Sequence, residues 1–172
     1  MTDGSPRAYF LVGPPAAGKS TWANIFVEDP SLVASTDNTI DMIAKHKGIT
    51  YNEAFSNKTM RAAISKMRKH ILELVSQNKD VYVDQTNMTV KSRARKLVWI
   101  PRHYTKIAIV FEKPDDEEWK RRLNSRPGKT IPEKVLRNMI DNYEPPTKKE
   151  GFDIIWNWTE TMKEKADVEN RK

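Results

Sequence analysis

Gly13-Pro14-Pro15-Ala16-Ala17-Gly18-Lys19-Ser20 matches the phosphate-loop pattern GxxxxGK[ST] at every fixed position. The segment before it, Ala8-Tyr9-Phe10-Leu11-Val12, is apolar and of strand length, and the segment after it, Thr21 to Phe26, reads as helix. A loop between a strand and a helix N-terminus turns its backbone N–H groups inward around an anion, and the helix adds partial positive charge. The glycines allow the tight turn and the close approach of backbone to phosphate. Lys19 is then placed to reach the outer phosphates of ATP, Ser20 to bind Mg²⁺, and Gly13 through Thr21 form the predicted ATP-binding segment. Such loops sit at the carboxyl edge of a parallel sheet, which constrains everything that follows.

Strand and helix patterns alternate along the chain, which predicts an α/β fold with a five-stranded parallel sheet covered by helices on both faces. The expected strands are Ala8–Val12, Leu32–Ser35, Val81–Asp84, Lys106–Phe111 and Asp153–Trp156. Several are β-branched or aromatic with few internal charges, as strands buried on both faces should be. A helix Asn38–Lys45 follows the second strand. Thr50 and Glu53 form a capping box ahead of one long helix to about Gln77, whose apolar stripe Met60, Ala63, Ile64, Met67, Ile71, Leu74 and Val75 reads as core. Thr89 caps a helix to about Ile100, Pro114 opens Asp115–Ser125, and Thr130-Ile131-Pro132-Glu133 begins another as a capping box with proline in its first turn. At 172 residues the chain suits one domain over 1–158 followed by a charged tail over 159–172.

Composition narrows the setting. The chain has no cysteine, which excludes disulfides and thiolate metal sites and suits the cytoplasm. Residues 1–7 are too polar for a signal peptide, and no apolar run reaches membrane-spanning length. A net charge of +7 favours a polyanionic partner.

Ligands of open parallel sheets lie beyond the strand ends, so the loop, Ser35-Thr36-Asp37-Asn38 and Asp84-Gln85-Thr86-Asn87 should meet around one ligand. Asp37 is the candidate general base, able to orient an acceptor hydroxyl and take its proton; it could instead cap the helix after it. Asp84 is placed either to hold Mg²⁺ or to accept hydrogen bonds from the loop. Arg122 and Arg126 lie one helical turn apart before Pro127-Gly128, as an arginine-bearing lid would be built, although a solvated basic face is the plainer reading.

The phosphate loop followed by Thr21-Trp22, the strand ends Ser-Thr-Asp-Asn and Asp-Gln-Thr-Asn, the RxxxR pair Arg122 and Arg126, and the Ile131-Pro132 helix start together resemble the phage-type 5′-polynucleotide kinases. The resemblance runs from about Ala8 to Asn142. It implies a P-loop kinase fold and transfer of the γ-phosphate of ATP, with Mg²⁺, to the 5′-hydroxyl of DNA or RNA. It also implies residence in the host cytoplasm if the chain is phage-encoded. By position it makes Lys19, Asp37 and Arg126 catalytic, with Arg122 similar to a lid residue, Ser20 on Mg²⁺ and Thr86 at the acceptor-side phosphate. The strand ends themselves add Asp84 on the metal side, and Gln85 and Asn87 beside Asp37 and Thr86 at the acceptor. Two positions depart from the pattern. The arginine expected three residues after Asp37 is Ile40, and the acidic residue expected before the Thr-Asn pair is Gln85. The acceptor grip is then expected from Arg93 and Arg95. The sequence ends soon after the fifth strand, so a kinase unit without the 3′-phosphatase domain is expected.

The basic helix Lys91 to Lys96, with Arg102 and His103, is placed to meet backbone phosphates; Lys58, Arg61, Lys66, Arg68 and Lys69 either extend that track or solvate a helix. Tyr51 and Phe55 are candidates to stack a terminal base, with core packing as the alternative for Phe55. His70 and His103 read as surface residues. Two rival functions share these features: a small-molecule kinase acting on a sugar acid or nucleotide-sugar, and a nucleic-acid-binding NTPase.

Overall fold

A computed structural model describes residues 4–158 of the chain, so the predicted tail over 159–172 lies outside the described residues. Strands β1 (Arg7–Val12), β2 (Val33–Ala34), β3 (Val81–Asp84), β4 (Thr105–Phe111) and β5 (Ile154–Trp158) pair in parallel in the order β2-β3-β1-β4-β5. Successive side chains on β1 point to opposite faces. Ala8, Phe10 and Val12 join Met67, Ile71 and Leu74 in one core, while Leu11 joins Trp22, Ala23, Ile109 and Phe111 in the other. Both faces are therefore covered by helices, as the apolar strands require.

The helices are α1 (Lys19–Phe26), α2 (Thr36–Lys47), α3 (Tyr51–Ala54), α4 (Asn57–Ser76), α5 (Val90–Leu97), α6 (Asp116–Asn124) and α7 (Glu133–Asp141). The single helix expected from Thr50 to Gln77 is two helices. The capping box of Thr50 and Glu53 forms, but Phe55 and Ser56 are extended and the Ser56 hydroxyl accepts from Thr59 N, starting a second helix. A second N-cap within the run wins over continuation because serine offers the backbone a competing partner. The helix after β2 begins earlier than expected, with Ser35 as its cap and Asp37 inside the first turn. At α7 the expected capping box is absent. Pro132 takes the cap position without a side-chain bond, and Thr130 N instead donates to Asn52 Oδ1 at 3.2 Å. The helix capped by Thr89 ends at Leu97, with the residues up to Pro101 in turns.

Ile40 is fully buried with Ala44, Ala54 and Ala63 between α2, α3 and α4. The position where the resemblance expects an acceptor-gripping arginine is thus a packing position here.

Candidate active site

The end of β1 passes directly under β4. A Cβ on Gly13 would lie 2.7 Å from the Phe111 carbonyl oxygen, so no larger residue fits without moving the strand. Gly18 caps α1 at φ 99°, a left-handed conformation that glycine adopts without strain. Gly13 N donates to the Thr86 carbonyl at 2.9 Å, which fastens the loop to the end of β3.

Lys19 is buried, and its ammonium donates to the Gly13 and Pro14 carbonyls at 2.8 and 2.7 Å. Burial lowers its pKa to about 8; Asp84 and Asp37 act in the opposite sense, and Arg126 adds to the lowering. The Ser20 hydroxyl donates to Asp84 Oδ2 at 3.0 Å. Burial pushes the Asp84 carboxyl above its usual range, against the pull of Lys19 and of the Ser20 hydrogen bond. Two oxygen donors side by side at the mouth of a phosphate loop fit Mg²⁺, which takes one or two protein oxygens and fills its octahedron with phosphate and water. Among the described residues there is no cluster of three or more His, Cys, Asp or Glu that would suggest another metal centre.

Asp37 is partly buried in the first turn of α2, and its Oδ1 accepts from the Tyr51 hydroxyl at 2.6 Å. Burial, then the hydrogen bond to Asp37, raises the Tyr51 phenol well above its ordinary value. Tyr51 is therefore a partner of the candidate base, with Lys129 4.5 Å above its ring, and not the freely stacking aromatic expected from sequence. Phe55 does stay exposed. Gln85 Nε2 donates to Thr36 Oγ1 at 2.9 Å, joining the ends of β3 and β2.

A cleft of about 1650 Å³ holds these groups together. Lys19, Ser20, Asp37, Asp84, Gln85 and Thr86 line it, and Arg122, Arg126 and Lys129 line it from α6 and the segment after it. Arg122 Nε pairs with Glu118 at 2.5 Å, while Arg126 is near enough to act electrostatically on Lys19, Tyr51 and Asp84. The lid segment is also tied down by Trp119, whose indole N–H donates to the Pro15 carbonyl at 2.7 Å, and by the Lys129–Asp41 pair at 2.9 Å. Nothing in the sequence marked Trp119 beyond an aromatic set among charges.

Two residues expected at the acceptor are not available there. Arg93 is fully buried, donates through Nε and Nη2 to both oxygens of Glu150 at 2.8 and 3.0 Å, and reaches the Asn87 carbonyl at 2.8 Å. Asn87 is buried at φ 49° and donates to the Leu11 carbonyl at 2.8 Å. Both hold the sheet edge together. Arg95 is exposed and lines the cleft, and beside it lies Lys96, buried and bonded to Asn87 Oδ1 at 2.5 Å. Lys58, Arg61, Lys66, Arg68 and Lys69 are exposed on α4, with Arg68 5.9 Å over the Trp99 ring. His103 is exposed and His70 partly so. Among the described residues no helix is long and apolar enough to cross a membrane.

A family model described as an AAA domain matches residues 9–146. The heterogeneous nuclear ribonucleoprotein U-like protein 2 of Mus musculus is 27% identical over 166 residues, which is 91% of this chain. The match spans only 22% of that relative's length. Among solved structures, one of the Pnkp1/Rnl/Hen1 RNA repair complex aligns with a TM-score of 0.65 at 21% identity, over 82% of this chain and 45% of that one. A gluconokinase from Sinorhizobium meliloti 1021 aligns with a TM-score of 0.53 at 15% identity, over 89% of this chain and 82% of its own. At these identities the structural likenesses bear on the fold alone, and that fold is the P-loop kinase fold.

Proposed function

We propose, on the premise that the chain belongs to this AAA domain family of P-loop kinase fold, that it is a polynucleotide kinase moving the γ-phosphoryl group of ATP to the 5′-hydroxyl of a DNA or RNA end. The observation that carries the proposal is the continuity of one cleft: the wall that holds the phosphate loop runs past Asp37 to the basic face of α5 at Arg95 and Lys96. A phosphoryl donor and a polyanionic acceptor would then lie end to end with the carboxylate between them.

In this reading Gly13 through Thr21 cradle the triphosphate, and Lys19 turns from the loop carbonyls to the β- and γ-phosphates. Ser20 and Asp84 would hold Mg²⁺, which when bound neutralises phosphate charge. Asp37, held by Tyr51, orients the 5′-hydroxyl and takes its proton as the new P–O bond forms. Arg126 spreads the charge of the migrating group, and Arg122 joins it by exchanging Glu118 for phosphate as the lid tightens. Thr86 and Gln85 face the acceptor.

The name of the mouse relative as a ribonucleoprotein and of the neighbouring complex as RNA repair machinery favours a nucleic-acid acceptor. The gluconokinase likeness favours a small polyol acceptor on the same machinery. γ-Labelled ATP with Mg²⁺ and 5′-hydroxyl oligonucleotides of DNA and RNA separates them, with 5′-phosphorylated controls. The expected result is label on 5′-hydroxyl ends alone, lost in Asp37→Ala while ATP affinity stays within about threefold, because the base acts only in the transition state. Label released solely as free phosphate would favour an NTPase. Transfer to gluconate and not to oligonucleotides would replace the acceptor assignment.

A further inference from the structure

One tight turn touches both the phosphate side of the cleft and the candidate base. Arg126-Pro127-Gly128-Lys129 is closed by a hydrogen bond from Lys129 N to the Arg126 carbonyl at 3.2 Å, with Gly128 at φ 68°. Proline in the second place and a left-handed glycine in the third are what such a turn demands. Arg126 and Lys129 are therefore carried on one short, stiff piece of chain. Arg126 lines the cleft and acts electrostatically on Lys19 and Asp84. Lys129 lies over the Tyr51 ring, 4.5 Å from its centroid, and pairs with Asp41 at 2.9 Å.

The receiving side is equally fixed. Helix α3 is locked at its start, where Thr50 N donates to Glu53 Oε2 at 2.7 Å and Glu53 N donates to Thr50 Oγ1 at 3.2 Å. The turn rests on that start, since a Cβ on Gly128 would lie 3.9 Å from Thr50 Cβ. Thr130 N adds a bond to Asn52 Oδ1 at 3.2 Å. From this anchored helix the Tyr51 hydroxyl donates to Asp37 Oδ1 at 2.6 Å. Burial first, then the bond to Asp37 and the charges of Asp37 and Asp41, hold the phenol well above its ordinary pKa, so it stays a donor at neutral pH. Packing against Phe55, 6.0 Å away, would need the ring alone; a hydroxyl placed on a carboxylate does more than fill space.

We propose that Tyr51 is a positioning residue through which the turn Arg126–Lys129 sets the candidate base. With Lys129 over its ring, Tyr51 holds one oxygen of Asp37 and leaves the other directed at the acceptor hydroxyl. Withdrawal of the turn releases that orientation. Asp37 is thereby set only when Arg126 lies at the phosphates, which ties proton removal to a filled donor site. The inference rests on the kinase reading above and concerns how the two halves of the site are coupled, whatever the acceptor.

The first test is kinetic. Tyr51→Phe keeps the ring and should lower kcat about tenfold or more, as loss of a charge-assisted bond implies, with the KM for ATP within about twofold. Lys129→Met should lower kcat about threefold, the scale of a cation over a ring, and Lys129→Arg should recover most of it. In the double variant the Lys129→Met effect should vanish, because without the hydroxyl the cation has no route to Asp37. Unchanged kcat in Tyr51→Phe, or single effects that multiply in the double variant, would overturn the coupling. The second test needs no turnover: NMR of the protein carrying isotope-labelled tyrosine Cζ, with the Tyr51 resonance assigned through Tyr51→Phe. Asp37→Asn should move that resonance in the protein alone. The non-hydrolysable analogue AMP-PNP with Mg²⁺ should move it in the wild type and not in Lys129→Met. A nucleotide response that is absent from the wild type, or that persists in Lys129→Met, would overturn the proposal. Absence of transfer to oligonucleotides with this resonance behaviour intact would instead remove the polynucleotide acceptor and uphold the coupling.

Discussion

Lys19 shows how much a single residue's surroundings decide. Its ammonium donates to two loop carbonyls, and burial lowers its pKa to about 8. Bound phosphate would raise that value, so the proton is taken up or retained on binding. Affinity for ATP measured without acceptor should accordingly be flat below pH 8. Above it, affinity should fall by up to about tenfold per pH unit as the free protein loses the proton. A flat profile from pH 7 to 9.5 would mean that Lys19 does not meet the phosphates as an ammonium. The loop was legible in the sequence because its chemistry is local, with every essential group within eight consecutive positions. The acceptor side was not. Arg93, Arg95 and Lys96 read alike as a basic run, and which of them turns inward depends on Glu150, 57 positions from Arg93. Tyr51 was misread for the same reason, since its partner Asp37 lies on another helix.

At the level of elements, the lid is the part most open to test. Helix α6 is fixed to the phosphate loop by the Trp119 indole on the Pro15 carbonyl, and the segment after it to α2 and α3 by Lys129 and Thr130. Trp119→Phe keeps an aromatic side chain but removes the indole N–H together with the pyrrole part of the ring. One neutral hydrogen bond is worth about 1 kcal/mol, so the KM for ATP should rise roughly fivefold with kcat less affected. Unchanged ATP kinetics would mean that the contact does not position the loop. Acid followed by base along Asp115–Ser125 announced this helix, since charges arranged to suit its dipole are visible in one dimension. The break between α3 and α4 was harder to see. Ser56 and Thr59 could as easily have sat within a helix, and their hydroxyl groups show their role only once the backbone has turned.

Across the whole molecule, Glu150 is the residue whose loss should be felt furthest. It sits just before β5 and neutralises the buried guanidinium of Arg93, so it joins the far end of the described chain to the helix after β3. Glu150→Gln would leave that guanidinium without its charge partner, at a cost of about 3 kcal/mol or more. For a chain of this size the melting temperature should drop by roughly 6–12 °C. Glu133→Gln breaks an exposed pair with Arg137 and should shift it by less than about 2 °C. Equal melting of the two variants would remove Arg93–Glu150 as a structural tie. The strand order β2-β3-β1-β4-β5 has a consequence in time as well as in space. The earliest made of these five strands becomes the middle of the sheet, flanked by two strands that are made much later. Until Phe111 has emerged, β1 has at least one open side, and Phe10, Leu11 and Val12 wait without their covering. Assembly of the sheet is therefore a late and collective event of high contact order, and the phosphate loop acquires its shape only when that event is complete.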